Sequence, residues 1–164
     1  LVCCRLAAHH FPDAAAFVSE AARVLKPGGA FALVDNVSPD GELLPGLSRA
    51  ELRDAVVNYN QFEKLRDPSH GRALTVGEWD EIIADAGLEV AAKRVIVKEM
   101  EFGAWVRRMQ CTPETVSRLA AMLSQDKDGG RGHLAAFLLP RRSGEDLWIS
   151  LRELVVVARK TPMA

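Results

Sequence analysis

Cysteine is scarce in this chain: three among 164 residues, at positions 3, 4 and 111, with no regular spacing. An odd and irregular set excludes a disulfide scaffold and fits a reducing, cytoplasmic compartment. Long apolar runs are lacking too, none nearing the roughly 18 residues that a spanning helix needs, so no membrane is expected as a partner. Neither sign of charge dominates, since 21 basic and 22 acidic residues leave a formal net charge of -1. Without a basic block, the chain has no electrostatic footprint for nucleic acid or anionic lipid. Methionine is missing from position 1. Leu1-Val2-Cys3-Cys4 reads as the middle of a strand covered on both faces, so the first element is expected to begin before the sequence does.

At 48% hydrophobic and 26% charged, the remainder is an ordinary globular composition, long enough to bury a core. Leu1 to Leu6 predicts a strand. Asp13 is placed to cap a helix carrying Phe17, Ala21, Val24 and Leu25 at helical spacing, and Lys26-Pro27-Gly28-Gly29 stops it. The run from Ala30 to Val37 is again a strand, which makes a βαβ unit. Ser48 with Glu51, and Thr75 with Glu78, have capping-box spacing before apolar stripes that include Tyr59 and Trp79, both expected in the core. Gly87 ends the second helix, and Glu89 to Glu99 predicts a strand with a solvated face. Helices are expected over Phe102 to Gln110 and Pro113 to Ser124, the second capped by Thr112. Trp105 with Arg107 and Arg108 suggests an amphipathic surface helix or a partner contact. A loop over 126–132 and a strand over Trp148 to Arg159 complete an α/β order of elements. One domain is expected over 1–164, with a βαβ core at 1–39, a helical insertion at 40–75 and further helices and strands at 76–164.

Several features carry possible chemistry. Gly28-Gly29 follows a helix and precedes a strand, the wrong polarity for a phosphate loop, and no G-x-G-x-x-G occurs anywhere. Cys3, Cys4, His9 and His10 do not make a metal site, because adjacent strand residues point to opposite faces. The segment Cys4 to Phe11 falls where open α/β sheets take ligands, at the carboxyl end of a strand, and Asp35-Asn36 ends the next strand at the same edge. His9 and His10 are therefore candidate contacts, against a bland role in starting the next helix. Glu63, Arg66 and His70 bring a carboxylate, a guanidinium and an imidazole to a turn ordered by Pro68. They are candidates for a pocket lid, with His70 a candidate general base; the bland alternative is a helix end fixed by Arg66, with His70 exposed.

The run from Cys4 to Asp13, then Ala21-Ala22-Arg23-Val24-Leu25-Lys26-Pro27-Gly28-Gly29 and the strand ending Val34-Asp35, resembles the fourth strand, fourth helix and fifth strand of class I S-adenosylmethionine-dependent methyltransferases, of the type 11 group related to ubiquinone and menaquinone biosynthesis. Glu63 to His70, Glu78-Trp79 and Ala86-Gly87-Leu88 are similar to the region after the fifth strand in a bacterial subset of these enzymes. The resemblance implies a partial Rossmann-like fold, strand 4 onward of a doubly wound, mostly parallel sheet with an antiparallel last strand. It implies methyl transfer from S-adenosylmethionine by in-line displacement, with Cys4, Arg5, Leu6 and His10 beside the cofactor. Asp35, Asn36, Glu63, Arg66 and His70 then face the substrate, a small organic molecule.

The family's glycine-rich turn and its acidic ribose-binding residue have no counterpart here and would lie upstream of Leu1. The chain alone is therefore expected to bind cofactor weakly or not at all, and to form a homodimer or aggregate through an exposed sheet edge. Two other classes remain open: a non-catalytic dimerisation or partner-binding module derived from the same fold, and part of a nucleotide-dependent oxidoreductase.

Overall fold

The computed structural model describes residues 1–125 and 133–161, so the loop expected over 126–132 lies outside the described residues. The chain divides into two compact units. The first takes Leu1–Val37, Gly71–Ile96 and the described part of Arg152–Ala164; the second takes Ser38–His70 and the described part of Val97–Leu151.

In the first unit, β1 (Val2–Arg5) passes through a single 3-10 turn (Ala8–His10) into α1 (Ala14–Val24) and then β2 (Ala30–Asn36). Asp13 starts α1 as predicted, its carboxylate accepting from the Ala16 N–H at 2.8 Å. Val18, Ala21 and Ala22 form the buried face of α1. After Lys26-Pro27 the chain reverses at Gly28, whose φ is +73°. A Cβ on Gly29 would stand 2.7 Å from the Lys26 carbonyl oxygen, so glycine is required there for close approach rather than for phosphate. β1 and β2 are parallel, from Val2 opposite Phe31 to Arg5 opposite Val34.

The strand β5 (Asp146–Lys160) lies antiparallel to β2, and the sheet order is β1-β2-β5-β3, where β3 is Leu88–Glu101 and the short β4 (Arg141–Ser143) pairs with β5. This is the mixed sheet of a Rossmann-like α/β fold. One expectation is corrected. β1 is not covered on both faces: Cys3 and Arg5 are exposed while Val2 and Cys4 are half-buried, and since alternate side chains point to opposite sides, one face of the strand is open to solvent. α3 (Val76–Asp85) opens on the Thr75–Glu78 capping box, buries Val76, Trp79 and Ile83, and packs on α1. Each large apolar side chain buried this way stabilises the fold by about 1.5–3 kcal/mol.

In the second unit, α2 (Arg49–Arg66) begins at the Ser48–Glu51 capping box and packs against α5 (Pro113–Gln125) and α6 (Leu134–Leu138). The Tyr59 ring meets Phe137 edge-on at 5.1 Å, and Tyr59 is buried, as expected. α4 (Phe102–Arg107) is shorter than its sequence suggests and is held by Glu101, whose carboxylate accepts from the Gly103 and Ala104 N–H groups. Trp105 is not on a surface: it is buried and stacks on Phe62 at 5.3 Å. A six-residue helix is too short to show its apolar face by periodicity. The five-residue α6 and three-residue β4 have no sequence signal for the same reason.

Candidate functional site

Side chains alternate along β2, so Phe31, Leu33 and Asp35 share its buried face. Asp35 is 0% exposed and stands opposite Leu154 of β5, whose side chain offers no donor. A carboxylate in that position must find its hydrogen bonds elsewhere or destabilise the fold. It finds them in the turn after β1. The His9 backbone N–H donates to Asp35 Oδ2 at 2.9 Å, the Asn36 N–H donates to Oδ1 at 2.9 Å, and the His9 ring nitrogen Nδ1 pairs with Oδ1. His9 is 7% exposed.

The pair lies at the carboxyl ends of the parallel strands β1 and β2, where open α/β sheets bind ligands. Other predicted residues converge on the same edge. Leu6 takes the left-handed backbone conformation, with φ +50°, while its N–H donates to the Val34 carbonyl at 2.7 Å. Left-handed backbone is unfavourable for leucine, and residues so held cluster at functional sites. Arg5 is exposed, and the half-buried His10 ring sits 4.1 Å from that of His9. The Cys4 thiol is pushed above its ordinary range, first by burial and then by the negative charge of Asp35, partly offset by hydrogen bonds from the Ala8 and Ala7 backbone. The His9 carbonyl accepts from both Gly71 and Arg72 N–H groups at 2.9 Å, tying residues 71–72 to the turn.

The other predicted cluster forms in the second unit. Glu63 is 1% exposed, accepts from the Tyr59 hydroxyl at 3.3 Å and faces Arg66 at 3.5 Å. The Arg66 guanidinium lies 4.4 Å over the Trp105 ring. His70 is 1% exposed, contrary to its bland reading as a surface residue, and its Nε2 meets Asn60 Oδ1 at 2.9 Å. Lys64 Nζ donates to the His70 carbonyl at 2.6 Å, and the His70 N–H donates to the Asp67 carbonyl. Glu63, Arg66 and His70 are thus built into a polar interior. Asp35, expected as a substrate contact, is likewise enclosed and presents its charge to His9.

A surface groove of about 360 Å³ in the first unit is lined by Phe11, Pro12, Arg72, Leu74, Glu78 and Ile82 among others, and by none of the predicted site residues. Among the described residues, no three His, Cys, Asp or Glu side chains converge as metal ligands, and no helix is long and apolar enough to cross a membrane.

Comparison with known proteins bears on this arrangement. A family model described as a methyltransferase domain matches residues 1–33, which hold β1, its turn, α1 and the start of β2. A crystal structure from Bacillus halodurans C-125, named provisionally as a methyltransferase, is 34% identical, is matched over 98% of this chain and 68% of its own, and superposes with a TM-score of 0.78. The chain belongs to the methyltransferase domain family. It is also 28% identical over 156 residues to the uncharacterized methyltransferase YcgJ of Bacillus subtilis, covering 95% of this chain and 56% of that protein. It is 36% identical over 116 residues to the uncharacterized protein YafE of Escherichia coli K12, covering 71% of this chain and 50% of that one. The crystal structure of YcgJ, 24% identical, is matched over 98% of this chain and 63% of its own at a TM-score of 0.76, and shows the same fold. The chain spans about half the length of the curated relatives it matches.

Proposed function

We propose that this chain supplies the acceptor-side portion of an S-adenosylmethionine-dependent methyltransferase that acts on a small organic molecule. The observation that carries the reading is the edge described above, in a chain of the methyltransferase domain family: Cys4, Arg5, Leu6 and His10 gathered around the His9–Asp35 pair at the carboxyl ends of β1 and β2. Its residues suit a sulfonium cofactor. The raised Cys4 thiol stays protonated, so no thiolate competes for an electrophilic methyl group. Arg5 is an exposed cation, suited to the carboxylate of a methionine moiety. When bound, the cofactor supplies an electrophilic methyl group.

The chain's own task is to hold the acceptor in line and keep competing water away, which is where most of the rate comes from in such a displacement. Asn36 stands at the same edge, half-buried, and is assigned to the acceptor. In the second unit, Glu63, Arg66 and His70 build a polar interior at the end of α2. Near-zero net charge and the lack of a basic block favour a small acceptor over nucleic acid.

The complete gene product tests this. Calorimetric titration with S-adenosylmethionine is expected to show one site per chain, and tritiated methyl groups are expected to enter the low-molecular-weight fraction of a deproteinised cell extract. Absence of cofactor binding, or label entering only protein or nucleic acid, overturns the reading.

A further inference from the structure

We infer that the surface groove beside α1 and α3 binds a small organic cation, an amine carried on an apolar body. The inference stands apart from the proposed methyl transfer, because the groove shares no residue with the edge assigned to cofactor and acceptor. Its volume of about 360 Å³ lies near the lower end for small-ligand pockets, roughly 300–1,000 Å³, which suits a molecule with a single ring or a short chain.

The walls are set before any ligand arrives. The Phe11 ring meets Phe17 of α1 edge-on at 4.9 Å. Arg72 reaches Glu78 at 2.5 Å, and Glu78 also accepts from the Thr75 N–H at 2.8 Å, which ties the segment entering α3 to the helix itself. A groove held in this way loses little binding energy to ordering. Phe11, Leu74 and Ile82, each half-buried, give it apolar surface.

The sign of the ligand follows from the charges. Two helices begin beside the groove, α1 at Ala14 and α3 at Val76, and helix N-termini attract anions. Both already hold carboxylates of the chain itself: Asp13 accepts from the Ala16 N–H at 2.8 Å, and Glu78 closes the capping box with Thr75. The places for an anion are therefore taken. Glu81 brings a third carboxylate, exposed, three residues further along α3. Against Asp13, Glu78 and Glu81 stands one cation, Arg72, so the lining carries a formal charge of -2 where the whole chain carries -1. A positive ligand complements that field, and its apolar body covers Phe11, Leu74 and Ile82.

Three probes that share one ring and differ in charge test this at pH 7: phenethylamine, a cation; 2-phenylethanol, neutral; and phenylacetate, an anion. Each is titrated into the complete gene product labelled with carbon-13 at isoleucine and alanine methyl groups, with Ile82 and Ala15 as reporters. Phenethylamine is expected to shift both resonances saturably and to bind about fivefold more tightly than 2-phenylethanol, while phenylacetate leaves them in place. Glu81→Gln is expected to weaken phenethylamine about threefold and to leave 2-phenylethanol unchanged. Asp85→Asn, on the same helix but outside the groove, should alter neither.

Equal affinity for the amine and the alcohol overturns the inference, as does no shift with phenethylamine, tighter binding of phenylacetate, or an effect of Asp85→Asn as large as that of Glu81→Gln. Shifts of Ile82 and Ala15 on dilution of the protein alone would assign the groove to a second copy of the chain and overturn it too. The three probes on the wild-type protein decide the matter even where a variant does not fold.

Discussion

Asp35 and His9, 26 residues apart, close the βαβ unit like a clasp: the carboxylate at the end of β2 receives both the backbone N–H and the ring Nδ1 of a residue in the turn after β1. Replacing Asp35 by alanine leaves two backbone donors and an imidazole facing an apolar void. The expected loss is about 3 kcal/mol of unfolding free energy, read from urea denaturation followed by circular dichroism. A loss below about 0.5 kcal/mol, the range of an ordinary surface substitution, would show that the clasp is dispensable.

Cys4 and Cys3 should differ in reactivity although they are neighbours. Cys3 is exposed; Cys4 is half-buried, with its thiol raised by burial and by Asp35. Iodoacetamide at pH 8, with fragment-ion mass spectrometry to separate the sites, is expected to modify Cys3 faster, and Asp35→Asn should speed modification of Cys4. The sign for stability follows from the raised value: the contribution of the neutral Cys4 thiol is fully present below the unfolded thiol's value and is lost as pH rises through the folded one. Equal alkylation rates at the two sites would contradict this.

Two glycines should respond to alanine for different reasons. At Gly71 a Cβ would stand 3.0 Å from the His9 carbonyl oxygen, so Gly71→Ala pushes apart the segment that anchors the turn, at a cost of about 1–3 kcal/mol. At Gly87 nothing lies within 4 Å, but φ is +71°, and Gly87→Ala should cost about 1–2 kcal/mol through backbone strain alone. Gly71→Ala, unlike Gly87→Ala, should also alter the His9 ring resonances in the histidine nitrogen spectrum. Unchanged His9 resonances would count against the coupling.

The capping boxes allow a simple check. Ser48 and Glu51 exchange hydrogen bonds at 3.3 and 2.8 Å, Thr75 and Glu78 at 3.1 and 2.8 Å. Ser48→Ala and Thr75→Ala are each expected to cost about 1 kcal/mol by thermal or chemical unfolding. A stability within error of wild type for either variant would mean that its helix start is held by packing instead.

These elements also show what could be read in advance. Asp13, both capping boxes and the stop at Gly28-Gly29 are local chemistry, set by residues within a few positions of one another, and the sequence displays them directly. The clasp has no such signal: only the register of β1 on β2 brings residue 9 to residue 35. Arg66 over Trp105 is similar, a contact between α2 and α4 that no spacing predicts. Asn60 and Lys64 of α2 reach the buried His70 from ten and six residues earlier in the chain.

Synthesis order adds a constraint. β2 has β1 beside it early, but its other neighbour is β5, the last to be made of the five strands among the described residues. From the moment Asn36 emerges until Lys160 does, one flank of a strand carrying Phe31 and Leu33 has no partner of its own. Translation must therefore pass through an interval in which this flank can recruit the wrong strand, and the cell has to shorten or shield that interval.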